Sequence, residues 1–411
     1  MKKTIFSKDI STDKELVIIE GKPITEYKKI ITSKVSDEAL RKGDLFAKQI
    51  AENRITDFEK TEALFKSGKV DEVDHMVHVS TFAFVNGVIY MTYYANTDSE
   101  HENPDYQKAR FVYCPVNDTE NKTFIDIQSV GDRCYDGTVE KVYDTILMKK
   151  DDDTLFILWT AQVSGNYYRL YRTYCISERK LGDVQVNRFK VGNTVNDFSF
   201  TGIQTALAEN GIPCKEMYSD IGIMQKLSSR EENGIRYYYT GAYSGNFTCI
   251  IKSADLITWE YVSQPDFINN SKWENAVYVL NGKCYYFVRQ LNDDPIRQHH
   301  ADPYGFLTCY DLENKTWETP VLVEDSQSRS DFIVFDGNLY LFHAPIDREH
   351  IGILKIDTND IAGSEVLLQA NMKSSCFYPF VQYDENGSLC MSYTVDRKHI
   401  RLARFDMAKL E

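Results

Sequence analysis

Two charged residues stand where a buried strand would be apolar. In SKWENAVYVLNGKCYYFVRQ, Ser271 to Gln290, Glu274 and Arg289 bracket an aromatic run that turns at Asn281-Gly282. Asn-Gly supplies the positive φ angles of a two-residue type I′ loop. With that loop, Glu274 and Arg289 face one another on the same side and at the same end of the hairpin. A carboxylate and a guanidinium so placed make either an ion pair that closes the hairpin or two parts of a polar site. Asp336-Gly337 turns the next hairpin and places Asp325 opposite Arg348. Farther on, in CFYPFVQYDENGSLCMSYT, Tyr378 precedes a strand that runs to Asn386-Gly387. Glu274, Arg289, Arg348 and Tyr378 thus all fall at strand ends, where several elements can converge.

The elements that must position them recur. Asn86-Gly87, Asn233-Gly234, Asn281-Gly282, Asp336-Gly337 and Asn386-Gly387 each sit between aromatic or β-branched runs, and Thr145 to Ala161 turns in the run Asp151–Asp153. The last four turns return roughly every fifty residues, a propeller-blade period. The expected fold is all-β, a six-bladed β-propeller over residues 74–411, with five blades as the alternative count. Residues 1–73, charged and helix-like over 36–68, read as an N-terminal extension packing on the propeller. Residues 180–215 read as an insertion with a short helix. In SADLITWEY, Asp255 closes a turn through backbone hydrogen bonds and Trp259 wedges between strands.

Composition narrows the chemistry. The chain of 411 residues is 43 % hydrophobic and carries 27 Tyr and 22 Phe, residues that favour strands. Its net charge of −14 opposes binding to nucleic acid or an anionic membrane. No apolar run is long enough to span a bilayer, and MKKTIFSKDISTDKELVIIE lacks the apolar core of a secretory signal. The nine cysteines show neither close pairs nor a disulfide framework, so a cytoplasmic protein with reduced thiols is expected. There is no phosphate loop, nucleophile elbow or dinucleotide fingerprint, and no cofactor is expected. Asp74, His75 and His78 invite a metal, but a strand would point the two imidazoles to opposite faces, so none is expected.

These segments together resemble the sialidase (neuraminidase) superfamily of six-bladed propellers. The resemblance rests on WENAVYVLNGKCYYFVR, NLYLFHAPIDREHIGIL and CFYPFVQYDENGSLCMSYT, with SADLITW as a degenerate Asp box. It implies a retaining glycosidase acting on an acidic sugar or oligosaccharide. Tyr378 would be the nucleophile, Glu274 the base that takes its proton, and Arg289 and Arg348 the clamp on the substrate carboxylate. A neutral phenol suits an anomeric carbon that bears a carboxylate, because an anionic nucleophile would be repelled. With a pKa of about 10, the phenol needs an adjacent base at neutral pH.

The first blade departs from the family. Its arginine is not found, and His78 stands at about that position, with His75 beside it as a second substrate contact. The family's acid/base Asp follows on the next loop, where Asp105 is the acid/base expected and Asp98 a substrate contact. This departure favours two other readings in part, a lyase and a binding propeller, and SADLITW leaves room for a third. A uronate-cleaving polysaccharide lyase on a propeller would use a Tyr or His to take the proton α to the carboxylate. A five-bladed furanosidase-like hydrolase would use carboxylates from separate blades. A carbohydrate-binding propeller would have kept the scaffold without catalysis.

Overall fold

Four of the predicted turns have both central residues left-handed, as type I′ requires: Asn86-Gly87, Asn233-Gly234, Asn281-Gly282 and Asp336-Gly337. Each joins adjacent antiparallel strands, so that Leu280 pairs with Lys283 and Asn275 with Val288. Asn386-Gly387 differs. Only Gly387 is left-handed, and a five-residue loop runs between paired Tyr383 and Leu389. Asp384 takes over this turn, its side chain accepting from the amides of Asn386 and Ser388. The computed structural model describes the chain outside residues 1–4, 9–14, 20–21, 25, 61–72, 135–136, 214–219, 245–246, 266–273 and 290–303.

Among the described residues, six sheets of four or more strands follow one another along the chain. Counted from one edge of each sheet, their first strands are Met76–Val85, Gly137–Lys149 (beside the short strand Arg133–Cys134), Ile221–Ile223, Asn275–Leu280, Asp331–Phe335 and Cys376–Tyr383. Consecutive sheets touch through at least one of these strands, and the sixth packs back on the first. A separate hydrophobic cluster fills each seam: Trp159 between the first and second sheets, Trp259 between second and third, Tyr286 between third and fourth. Leu341, Phe342 and Phe82 do the same at the remaining three. Each sheet is therefore apolar on both faces, and Met76–Val85 is buried at every position.

The expected boundary at residue 73 separates nothing in the sheets. Lys29–Ile31 lies parallel to Val321–Glu324 at the edge of the fourth sheet, and Arg54–Asp57 pairs with His399–Phe405 as the last strand of the sixth. Open edges seek partners, and the N-terminal strands cover two of them. Helix α1, Asp37–Glu52, is capped by the Ser36 hydroxyl accepting from the Ala39 amide. It packs on Glu365–Asn371 with Phe46 fully buried. At Gly43 a Cβ would come within 1.9 Å of the Gln369 carbonyl oxygen. The 180–215 region likewise joins a sheet: Arg188–Val191 runs parallel to Thr258–Ser263, and helix α2, Phe200–Glu209, packs beside it. In the third sheet Asp255 Oδ1 accepts from the Ile257 and Thr258 amides, each at 2.8 Å, and Trp259 is fully buried.

Candidate active site

Three first strands carry the same irregularity. His78–Thr81, Tyr143–Ile146 and Phe377–Phe380 each hold one residue more than the strand they pair with. Within them Val79, Asp144 and Tyr378 are left-handed, at φ 56°, 54° and 54°. Such bulges turn a side chain off the regular alternation of the strand. A β-branched or bulky residue at positive φ is strained, and only the surrounding packing holds it there. All three line one cavity of about 130 Å³. Asp220, Glu274 and Arg329, at the starts of the third, fourth and fifth sheets, also line it, so that every sheet contributes at least one residue.

Glu274 and Arg289 are opposed as expected. The Arg289 amide donates to the Glu274 carbonyl at 3.4 Å, and Arg289 Nη1 donates to Glu274 Oε2. Nη1 also reaches the Tyr378 hydroxyl at 3.4 Å. The second partner of Glu274 is Arg329, which was not foreseen. Its Nη2 donates to Glu274 Oε1 at 2.9 Å and pairs with Asp144 Oδ1 at 2.7 Å. Asp144 is held in turn by Arg169, whose Nη1 donates to its carbonyl at 2.7 Å. Burial raises the Glu274 carboxyl, but Arg289, Arg329 and a hydrogen bond from Tyr378 outweigh it and hold it below the ordinary value. Burial and then the Glu274 charge push the Tyr378 phenol well up, against the pull of Arg289, Arg329 and Arg348. The Arg329 guanidinium lies 4.7 Å from the Tyr378 ring centre.

Arg348 is not opposite Asp325, because the ladder of that hairpin ends at Asp331 paired with Phe342. It stacks instead on the Phe377 ring at 5.1 Å. Arg397, in the last hairpin turn, also lies 5.3 Å from that ring. Burial, and then the nearby Arg289, lower the Arg348 guanidinium to about 10. Among the described residues Arg348 has no carboxylate partner, whereas Arg397 pairs with Glu102 at 2.8 Å. Glu102, a cavity residue, also accepts from the Tyr94 hydroxyl.

The remaining expected residues lie elsewhere. His78 is buried behind Tyr378, the ring centres 4.4 Å apart, with Nδ1 3.1 Å from Thr394 Oγ1. Burial, then Arg397, Arg348, Arg329 and Arg289, depress its pKa well below the ordinary value, so it is a neutral ring rather than a cationic clamp. His75 is exposed, one residue before the strand Met76–Val85. Asp98 is exposed as well, on a loop that wraps around Asn96 Oδ1. Asp105 sits in the turn Pro104–Tyr106, half exposed and paired with Lys141 at 3.2 Å. That turn faces its acid outward, and Glu102 is the loop's carboxylate at the cavity. Of the residues not expected, Arg329 and Arg397 precede or interrupt strands in SQSRSDF and TVDRKHI, where a charged residue signals only a strand boundary. Asp57, Glu59 and His399 bring ligand atoms within 4.8 Å of one another outside this cavity, beside the Arg401 guanidinium.

No family model matches the chain, and no curated protein sequence does. Solved structures do match. A Trypanosoma rangeli sialidase in complex with sialic acid superposes with a TM-score of 0.54 at 14 % identity, over 87 % of this chain and 58 % of its own. A mutant NanB sialidase from Streptococcus pneumoniae gives 0.52 at 8 %, over 87 % and 71 %. The intramolecular trans-sialidase from Ruminococcus gnavus, in complex with oseltamivir carboxylate, gives 0.52 at 12 %, over 88 % of this chain and 99 % of its own. The chain therefore has a sialidase-like, mostly β fold, and spans little more than half of the trypanosomal enzyme.

Proposed function

We propose that this sialidase-like chain is a six-bladed propeller glycosidase that cleaves a carboxylate-bearing sugar with retention. The observation that carries the proposal is the triangle of Tyr378, Glu274 and Arg289 on a cavity to which all six sheets contribute. Tyr378 attacks the anomeric carbon as Glu274 takes its phenolic proton, and water later releases the sugar from the tyrosyl intermediate. A phenol raised by burial is a poor nucleophile alone, which makes the adjoining carboxylate necessary. Arg348, partly buried and without a carboxylate partner among the described residues, takes the substrate carboxylate together with Arg289. Arg397, from the sixth sheet, extends this cationic side next to the strand where the first-blade arginine is missing.

The test is a panel of chromogenic glycosides of sialic acid, related keto-acids and uronic acids. Hydrolysis with net retention is expected for at least one, with Tyr378→Phe reducing kcat by about 10³-fold or more while ligand binding persists. Unsaturated uronate products, or binding without turnover across the panel, would overturn the proposal.

A further inference from the structure

The proposed hydrolysis needs a proton donor for the departing oxygen, and neither Asp98 nor Asp105 reaches the cavity. Four carboxyl groups do: Glu102, Asp144, Asp220 and Glu274. Glu102 is paired with Arg397, Asp144 with Arg169 and Arg329, and Glu274 with Arg289 and Arg329. Protonating any of these three would break an ion pair, and for Asp144 and Glu274 a buried one. Asp220 has no cationic partner at ion-pair distance among the described residues. Its Oδ1 is shielded from solvent, and the Tyr143 hydroxyl is the donor that faces the carboxyl.

Resting on the proposed glycosidase reading, we infer that Asp220 is the general acid and base of this site. In the first half-reaction its carboxyl proton passes to the glycosidic oxygen as the bond from that oxygen to the anomeric carbon breaks and the bond to Tyr378 Oη forms. In the second, the Asp220 carboxylate takes a proton from water as the water oxygen bonds to the anomeric carbon. The Tyr378 oxygen leaves and recovers its proton from Glu274. Atoms and charge balance without a further reactant.

The surroundings of Asp220 suit this cycle. Burial raises its carboxyl most, the charges of Asp144 and Glu274 add to it, and the Tyr143 hydroxyl and Arg329 pull back, leaving it at about 7. Tyr243 completes the ring of titratable groups that face it. A carboxyl poised there both gives and takes a proton near neutrality, the tuning seen when two acids of one site are driven apart by their environments. Gly222, two residues on, leaves room for Asp144 Oδ2, which a Cβ would approach to 2.8 Å.

The experiment compares two leaving groups on the sugar that the wild-type protein hydrolyses: 4-nitrophenol, which needs little protonation, and a second sugar, which needs it fully. Asp220→Asn should lose about 10²–10⁴-fold in kcat on the disaccharide. On the nitrophenyl glycoside it should lose less than about tenfold in glycosylation, with azide restoring turnover. The wild-type rate on the disaccharide should fall as pH rises through about 7, and that fall should be absent in the variant. Equal losses on both substrates, or the same selective loss in Glu102→Gln instead, would overturn the inference while leaving the glycosidase reading intact. If Asp220→Asn does not fold by circular dichroism, Asp220→Glu serves in its place. There a displaced alkaline limb supports the inference and an unchanged one sinks it. Wild-type protein inactive on the whole panel would fail the glycosidase reading, and this inference with it.

Discussion

At the scale of single residues, the cavity is balanced by arginines that serve the acids rather than the reverse. Arg329 is 2 % exposed and neutralises Glu274 and Asp144 at once. Replacing it with Met should cost about 3–5 kcal/mol, because two buried carboxylates lose a partner. Urea unfolding would read this, and a loss below about 1 kcal/mol would show that the pairs are individually dispensable. Asp220 makes the opposite prediction for pH. Its folded value lies above its unfolded one, so the folded protein holds a proton that the unfolded chain has released, and stability falls as pH rises from about 4 to about 7. Melting temperatures taken across that window should decline less in Asp220→Asn than in the wild type. The Glu274–Arg289 opposition was legible because an Asn-Gly loop sets its own register. Arg329 and Arg397 were not, since their roles arise from neighbouring sheets that no local spacing reveals.

At the scale of elements, turns and bulges divide the work. Type I′ loops fix where partners meet, and this is why most hairpins could be read directly. The bulges could not be read: nothing in HVSTF, YDTI or YPF signals that Val79, Asp144 and Tyr378 leave the alternation. The same limit explains Arg348, since the hairpin register was correct but its ladder stops at Asp331. Helix α1 offers a sharper test. Gly43→Ala would drive a methyl into the Gln369 carbonyl, so the helix must lift off the fifth sheet. A melting temperature lowered by several degrees is expected, with faster proteolysis within Asp37–Glu52. An unchanged melting temperature would mean that α1 contributes little to the seam around Phe46.

At the scale of the whole molecule, six seams of buried side chains join the six larger sheets of the described residues, and the closing seam depends on segments far apart in the chain. Removing residues 1–57 would strip the last strand from the sixth sheet and the edge strand from the fourth. The shortened chain should lose its cooperative transition or aggregate through the uncovered edges, as light scattering would show. A soluble, fully active product would place the ring's stability elsewhere.

The strand Arg54–Asp57 also sets the order in which the molecule can be made. On a ribosome it emerges early and must wait for His399–Phe405, more than three hundred residues later, before it can be paired. Tyr378 sits in that same last sheet, two strands from the pairing. The phenol proposed above as nucleophile is thus among the final parts to be locked in place. Such long-range closure is slow to form, so the proposed site is assembled only after the last strand of the sixth sheet has paired.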